Sequence, residues 1–291
     1  MRIGSSNGNG AGGSQYQAPS RIPRFAVEMP VGDPRALILV AHGLNLHPDR
    51  MMPVCGVLRD SGAAVVRMAL RGHRGSYREL AAVTRSAWLD DFTDACSEID
   101  RIRSQGPGHA PLPVGFVGQS IGALTFADHL LQIERVAPFT AAVFLSPAVA
   151  LRPKAQLMRA SRFLPRGLPI PSASAREDRL YGRLPAGVYR ALFESYAAVR
   201  RTLREGPVRL QTTILSDPDD ELVSFCGLQQ IIGEGGFPNA RLVGLEYTKE
   251  ARGYGHMAVD EPTMGAANWK TTRGHLRQLV ESISGSRVDL R

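Results

Sequence analysis

The chain has 291 residues, 43% of them hydrophobic and 21% charged, with a formal net charge of +8. That suits one large globular domain, or a domain with an insertion, and excludes a helical membrane span because no stretch is long and apolar enough. The first residues carry no apolar run behind Arg2, so they do not read as a secretory signal. Cys55, Cys96 and Cys226 are odd in number and widely spaced in apolar surroundings, which reads as buried free thiols in a reducing, cytoplasmic compartment.

Residues 1–22 are rich in Gly, Ser, Asn and Gln and poor in apolar side chains, and read as a disordered arm. A first strand is expected near 24–28. Residues 36–41, Ala-Leu-Ile-Leu-Val-Ala, form an unbroken β-favouring run, the mark of a strand buried on both faces. His42-Gly43-Leu44-Asn45 follows. A helix near 49–61 leads to a second buried strand at 63–69, which ends in Leu70-Arg71-Gly72-His73-Arg74-Gly75-Ser76. Trp88, Phe92, Ala95 and Ile99 recur at helical spacing within 86–104 and read as core. A Gly/Pro-rich loop at 106–113 delivers the strand Val114-Gly115-Phe116-Val117, then Gly118-Gln119-Ser120-Ile121-Gly122, then an apolar helix.

Thr140 to Leu145 is the next strand, and strands alternating with helices in this way predict a mainly parallel, doubly wound α/β sheet. The rhythm breaks over 151–209, where helical patterns at 153–164 and 185–204 flank a Pro-rich turn at 165–171. An excursion there lies over the carboxyl ends of the strands, where such folds bind ligands, and reads as a helical cap inserted into a core of residues 23–150 and 210–291. The sheet resumes at 210–215, followed by Asp217-Pro218-Asp219-Asp220-Glu221, a helix near 224–233, a last strand at 240–247, Gly253-Tyr254-Gly255-His256-Met257, and a closing helix over 264–284.

The cap holds thirteen Arg and Lys against four acidic residues, so it accounts for the whole net charge. Nucleic acid is excluded as a partner, because no aromatic stacking platform is interleaved with the basic residues. A basic amphipathic lid is compatible with weak association at an anionic membrane surface, or with solvated helix faces alone. His47, His109, His129 and His275 have no metal-ligand spacing, so neither a metal nor an organic cofactor is expected. Met51 and Met52 are candidates to line a pocket.

A Gly-x-Ser-x-Gly between a strand and a helix presents its serine on a strained turn at the end of the sheet, beside the positive end of the helix. Acyl transfer by serine further needs a base, a carboxylate to orient that base, and N–H donors for the oxyanion. Ser120 is the candidate nucleophile and His256 the candidate base. The acid lies within Asp217–Glu221, where spacing alone leaves Asp219 and Asp220 open. His42 and His73 read as residues that shape turns.

These pieces together resemble α/β-hydrolase-fold serine hydrolases, specifically bacterial carboxylesterases and monoacylglycerol-lipase-like enzymes. The resemblance rests on His42-Gly43, Leu70-Arg71-Gly72-His73 with Gly75-Ser76, Gly118 to Gly122, Asp220-Glu221-Leu222-Val223 and Gly255-His256, and it runs from about residue 25 to the C-terminus. It implies Asp220 as the acid, because in that family the acid opens an Asp-x-apolar-Val pattern. It also implies an oxyanion hole from the backbone N–H groups of Leu44 and Ile121. The expected function is hydrolysis of small-molecule carboxylic esters with an apolar acyl or aryl group, through an acyl-enzyme on Ser120. The same machinery would serve a thioesterase, an acyltransferase or a carbon–carbon bond hydrolase, and the fold would also serve a non-catalytic ligand receptor.

Overall fold

A seven-stranded sheet in the order β1-β3-β2-β4-β5-β8-β9 organises the chain. The computed structural model describes residues 22–104, 111–132, 138–172, 176–246 and 255–285. The expected arm up to residue 21, the loop tip at 106–110 with His109, the strand end at Tyr247, and Gly253-Tyr254 lie outside the described residues. Ile22 is buried, and its N–H donates to the Arg74 carbonyl at 3.2 Å.

The strands are β1 (Phe25–Glu28), β2 (Ala36–Ala41), β3 (Ala63–Met68), β4 (Val114–Gln119), β5 (Phe139–Leu145), β8 (Gln211–Ser216) and β9 (Ala240–Gly244). Only β1, on the edge, runs antiparallel to its neighbour; the other pairings are parallel. All six residues of β2 and of β4 are buried, as a parallel strand covered on both faces requires. Successive side chains alternate between layers. Leu37, Leu39 and Ala41 join one core with α3 (Arg85–Ser104) and α4 (Ile121–Gln132); Ile38 and Val40 join the other with α1 (Met52–Asp60) and α9 (Ala266–Gly285). Each of these leucines and isoleucines contributes about 1.5–3 kcal/mol by leaving water.

Chain order reverses between β2 and β4, because β3 lies outside β2 on one side and β5, β8 and β9 follow β4 on the other. The loops leaving adjacent β2 and β4 therefore part at a crevice, the place where ligands bind in such sheets. Leu44 and Ser120 lie on those two loops.

The excursion between β5 and β8 differs from the expected pair of helices. Residues 153–164 form one short turn, α5 (Pro153–Gln156), and a 3-10 stretch at Leu157–Phe163. Of that 3-10 stretch only Ser161 is buried; Met158 packs partly against the core, while Leu157 and Phe163 are 76% and 77% exposed, so too little apolar surface is covered to hold a regular helix. The Pro-rich turn contributes β6 (Pro169–Pro171), paired antiparallel with β7 (Arg183–Pro185) as a two-stranded piece, where prolines cost no sheet hydrogen bond to a further strand. By contrast α6 (Ala186–Thr202) buries Val188, Ala191, Leu192, Phe193, Tyr196 and Val199 in the same core as α3 and α4. Its arginine-rich surroundings are partly tied down: Arg152, Arg166 and Arg190 donate to the carbonyls of Pro218, Val83 and Arg162 at 2.7, 2.6 and 2.7 Å.

Three smaller features escaped the sequence reading. Ser76 caps a short helix, α2 (Tyr77–Ala82), and the closing helix is broken at Gly265 into α8 (Glu261–Met264) and α9; α7 (Phe225–Gly233) is capped by Ser224. Of the cysteines, Cys55 is buried, Cys96 half-buried and Cys226 exposed, so the expectation of three buried thiols holds for Cys55 alone. No described helix is long and apolar enough to cross a membrane.

Candidate active site

Ser120 sits where β4 ends and α4 begins, at φ +51°. That left-handed conformation costs a non-glycine residue about 1–2 kcal/mol and persists only where its surroundings fix it. They do so here on three sides. Its N–H donates to the Leu145 carbonyl at 2.9 Å, and its own carbonyl accepts from Leu124 and Ala148, each at 3.1 Å. The flanking glycines are demanded by space. A side chain on Gly118 would strike the Phe116 ring and the Ala123 nitrogen; one on Gly122 would strike the carbonyls of Ala41 and His42.

His256 and Asp220 complete a continuous hydrogen-bonded line. Nε2 of His256 is 2.8 Å from Ser120 Oγ, and Nδ1 is 2.9 Å from Asp220 Oδ2. A carboxylate can only accept, so Nδ1 carries the proton and Nε2 is left to accept from the serine hydroxyl. Asp220 is fully buried. Its other oxygen, Oδ1, accepts from the N–H groups of Leu222 and Val223, both at 2.8 Å. Burial pushes its carboxyl up, but the attraction of His256 and these hydrogen bonds outweigh burial and hold it below the ordinary carboxylate range. Asp219 is exposed and far less constrained. Asp217 donates nothing to the line; its Oδ1 accepts from Asp219 N–H at 2.8 Å, and burial raises its carboxyl.

The loop after β2 presents Leu44 beside Ser120. His42 is fully buried, with Nδ1 2.8 Å from the Gly43 carbonyl and Nε2 accepting from Leu70 N–H at 3.1 Å. Because N–H and C=O point oppositely across a trans peptide, pinning the Gly43 carbonyl on His42 turns the Leu44 N–H the other way. Ile121 is the first residue of α4, so its N–H has no partner within the helix. Burial lowers His42 to about 4 and His73 well below its ordinary value, so both rings are neutral at physiological pH.

Over this line lies a cavity of about 260 Å³. Leu151, Met158, Ile170, Leu184, Leu192 and Phe193 from the excursion supply apolar walls, and Leu44, Ser120 and His256 supply the floor. Met51 and Met52, the candidate lining residues, are elsewhere: Met51 is buried in the core on the opposite face of the sheet and Met52 is exposed. The turn of helix that carries them faces away from the crevice. Met158 and Met257 line the cavity instead.

The sequence matches the family model described as serine aminopeptidase, S33, over residues 32–218, well over half of the chain. The chain belongs to the S33 serine aminopeptidase family of hydrolases. No curated protein matches it. Among solved structures of the α/β-hydrolase fold, a soluble variant of monoglyceride lipase from Saccharomyces cerevisiae superposes with a TM-score of 0.72 at 12% identity, covering 92% of this chain and 97% of that one. A metagenome-derived lipolytic enzyme of the LipS and LipT pair gives 0.68 at 20% identity over 89% and 100% of the two chains. The monoacylglycerol lipase of Paleococcus ferrophilus gives 0.64 at 16% over 88% and 98%. At such identities the likeness is one of fold.

Within this S33 fold, three supporting residues carried no signal in the sequence. Gln119 is buried, and its Nε2 donates to the His256 carbonyl at 3.1 Å. Glu221 accepts from the N–H groups of Gly255 and His256 at 3.2 and 3.3 Å, gripping the loop that carries His256. Arg50 joins Asp178 of the excursion, at 2.9 Å, to Asp260 below the His256 loop, at 2.7 Å. Each is separated from its partner by 34 or more residues, so only the fold pairs them.

Proposed function

We propose that the protein hydrolyses carboxylic esters through an acyl-enzyme on Ser120. Ser120 Oγ attacks the ester carbonyl while its proton passes to His256 Nε2, and Asp220 stabilises the imidazolium. The carbonyl oxygen, now negative, is held by the N–H groups of Leu44 and Ile121. His256 returns the proton to the alkoxide, which leaves as alcohol. Water then attacks the acyl group with His256 as base, and Ser120 is released with a carboxylic acid. The observation that carries this reading is the unbroken Asp220–His256–Ser120 line at 2.9 and 2.8 Å beneath a cavity.

The apolar walls favour an apolar acyl or aryl group, which we assign to the space under the excursion at 151–209, acting as a cap. Among the described lining residues the sole carboxylate, Asp178, is engaged by Arg50, which disfavours a cationic amino terminus and hence peptide substrates despite the family's description. The exposed Leu157 and Phe163 beside Arg159 and Arg162 favour weak association of the cap with anionic membranes, to be measured as salt-sensitive binding to phosphatidylserine vesicles.

The test is turnover of p-nitrophenyl esters from acetate to palmitate by the wild type, Ser120→Ala and His256→Ala. Loss of several orders of magnitude in both variants is expected. Activity retained by Ser120→Ala would remove the proposed nucleophile. A folded wild type that neither turns over nor labels with a fluorophosphonate would favour a receptor.

A further inference from the structure

Asn45 lies one residue beyond Leu44, is buried, and adopts φ +59°. Its carboxamide grips the cap backbone in both directions: Oδ1 accepts from Tyr181 N–H and Nδ2 donates to the Tyr181 carbonyl, each at 2.9 Å. Nδ2 also donates to Ser172 Oγ at 2.9 Å. The main chain continues the pairing. The Asn45 carbonyl accepts from Leu180 N–H at 2.7 Å, His47 N–H donates to the Asp178 carbonyl at 3.3 Å, and Leu46 bridges antiparallel to Arg179. Residues 178–181 of the cap are thus laid antiparallel against residues 45–47 through one isolated bridge.

The opposite end of the same residue points into the core. Asn45 N–H donates to Nε2 of His73 at 3.1 Å, and the His73 ring lies 4.7 Å from that of His42, which holds the Gly43 carbonyl. The two peptide units on either side of Leu44 are therefore fixed from below by buried histidines, and Asn45, which follows them, is held from above by the cap. A left-handed asparagine costs free energy that its contacts must offset. With the cap contacts gone, relaxation of Asn45 toward negative φ rotates the adjoining peptide and swings the Leu44 N–H.

We propose that Asn45 is a positioning residue that couples seating of the cap at Ser172 and residues 178–181 to the aim of the Leu44 N–H, so that this donor is set for catalysis only while the cap is docked. The proposal rests on the reading of Leu44 as an oxyanion donor. Arg50 belongs to the same device, since its tie to Asp178 holds the docked cap segment at its other end.

Asn45→Gly accepts the left-handed backbone and deletes the carboxamide, which isolates the coupling from strain. On p-nitrophenyl butyrate it is expected to lower kcat roughly ten- to a hundredfold with KM nearly unchanged, the pattern of an interaction made in the transition state. Affinity for butylboronic acid, which forms a tetrahedral adduct on serine, should fall by the same factor. Asp178→Asn, which weakens the Arg50 tie, should shift both readouts the same way, and the double variant should be clearly less impaired than the product of the singles. A raised KM with kcat and boronate affinity intact would make Asn45 a mere wall of the cavity and overturn the coupling, as would strictly multiplicative effects. Ser120→Ala separates the two failures. Activity surviving in it removes the triad reading itself, whereas a dead Ser120→Ala beside a fully active Asn45→Gly removes only the coupling. If Asn45→Gly does not fold, Asn45→Asp, which keeps the acceptor and loses both donors, enters the same comparison.

Discussion

The α-carbon of Gly43 faces the carboxamide of Gln119 so closely that no side chain fits between them, and that carboxamide donates to the His256 carbonyl at 3.1 Å. The glycine after His42 thus serves the histidine loop more than two hundred residues away. Gly43→Ala should push Gln119 off the His256 carbonyl and cut kcat/KM at least about tenfold, with a loss of stability of about 1–3 kcal/mol from overpacking. Gly43→Ala with Gln119→Ala should recover the thermal midpoint but not the activity. Recovery of both would mean that Gln119 does not position His256.

Asp220→Asn preserves shape but offers an amide where His256 needs an acceptor, and should lower kcat by about 10⁴-fold, as loss of the carboxylate does in serine proteases. Asp219→Asn, at an exposed carboxylate, should stay within about twofold of wild type. Steady-state kinetics on one ester distinguishes them, and the reverse order would transfer the role to Asp219.

Glu221 accepts from two consecutive N–H groups of the His256 loop. Glu221→Ala leaves the loop to find other partners and should lower kcat roughly tenfold with little change in KM, while Glu221→Gln, which retains one acceptor, should be milder. Equal losses in KM and none in kcat would place Glu221 in substrate binding instead.

Burial lowers His42 to about 4 and His73 well below the ordinary value near 6.5. Below pH 6.5 the unfolded chain binds protons that the folded chain does not, so stability falls as the pH drops toward 4, by at most about 1.4 kcal/mol per unit for each ring. The depressed carboxyl of Asp220 acts in the same direction but only below the ordinary carboxylate range, outside this window. His42→Asn should be less stable than wild type at pH 7 yet lose less between pH 7 and pH 5, as read from urea midpoints. Parallel losses would show that His42 does not titrate with unfolding.

Met158, on the excursion at 151–209, lines the cavity. Met158→Trp should shift the preferred p-nitrophenyl ester toward shorter acyl chains and leave turnover of the acetate within a few fold. An unchanged chain-length profile would place the acyl group elsewhere.

Much of this architecture was legible in the chain because its signals are local. Unbroken apolar runs such as 36–41 can be satisfied only between two covering layers, and Gly118 and Gly122 are required by a turn whose atoms lie within a few residues or on the adjacent strand. The order of serine, acids and histidine along the chain likewise needs no coordinates to read. Length and pattern failed where little apolar surface is covered, as in the 3-10 stretch at Leu157–Phe163, and where a helix had to be rotated about its axis, as for Met51, whose direction depends on which layer covers β2. Spacing left Asp219 and Asp220 equivalent, being adjacent in sequence; burial and a bond to His256 distinguish them, because the turn after β8 points one carboxylate inward and the other outward to water. Asn45 with Tyr181, Gln119 with His256, and Arg50 with Asp178 and Asp260 are pairings across long separations. A polar side chain can meet many possible partners in an unfolded chain, and only the assembled sheet with the excursion packed on it selects one.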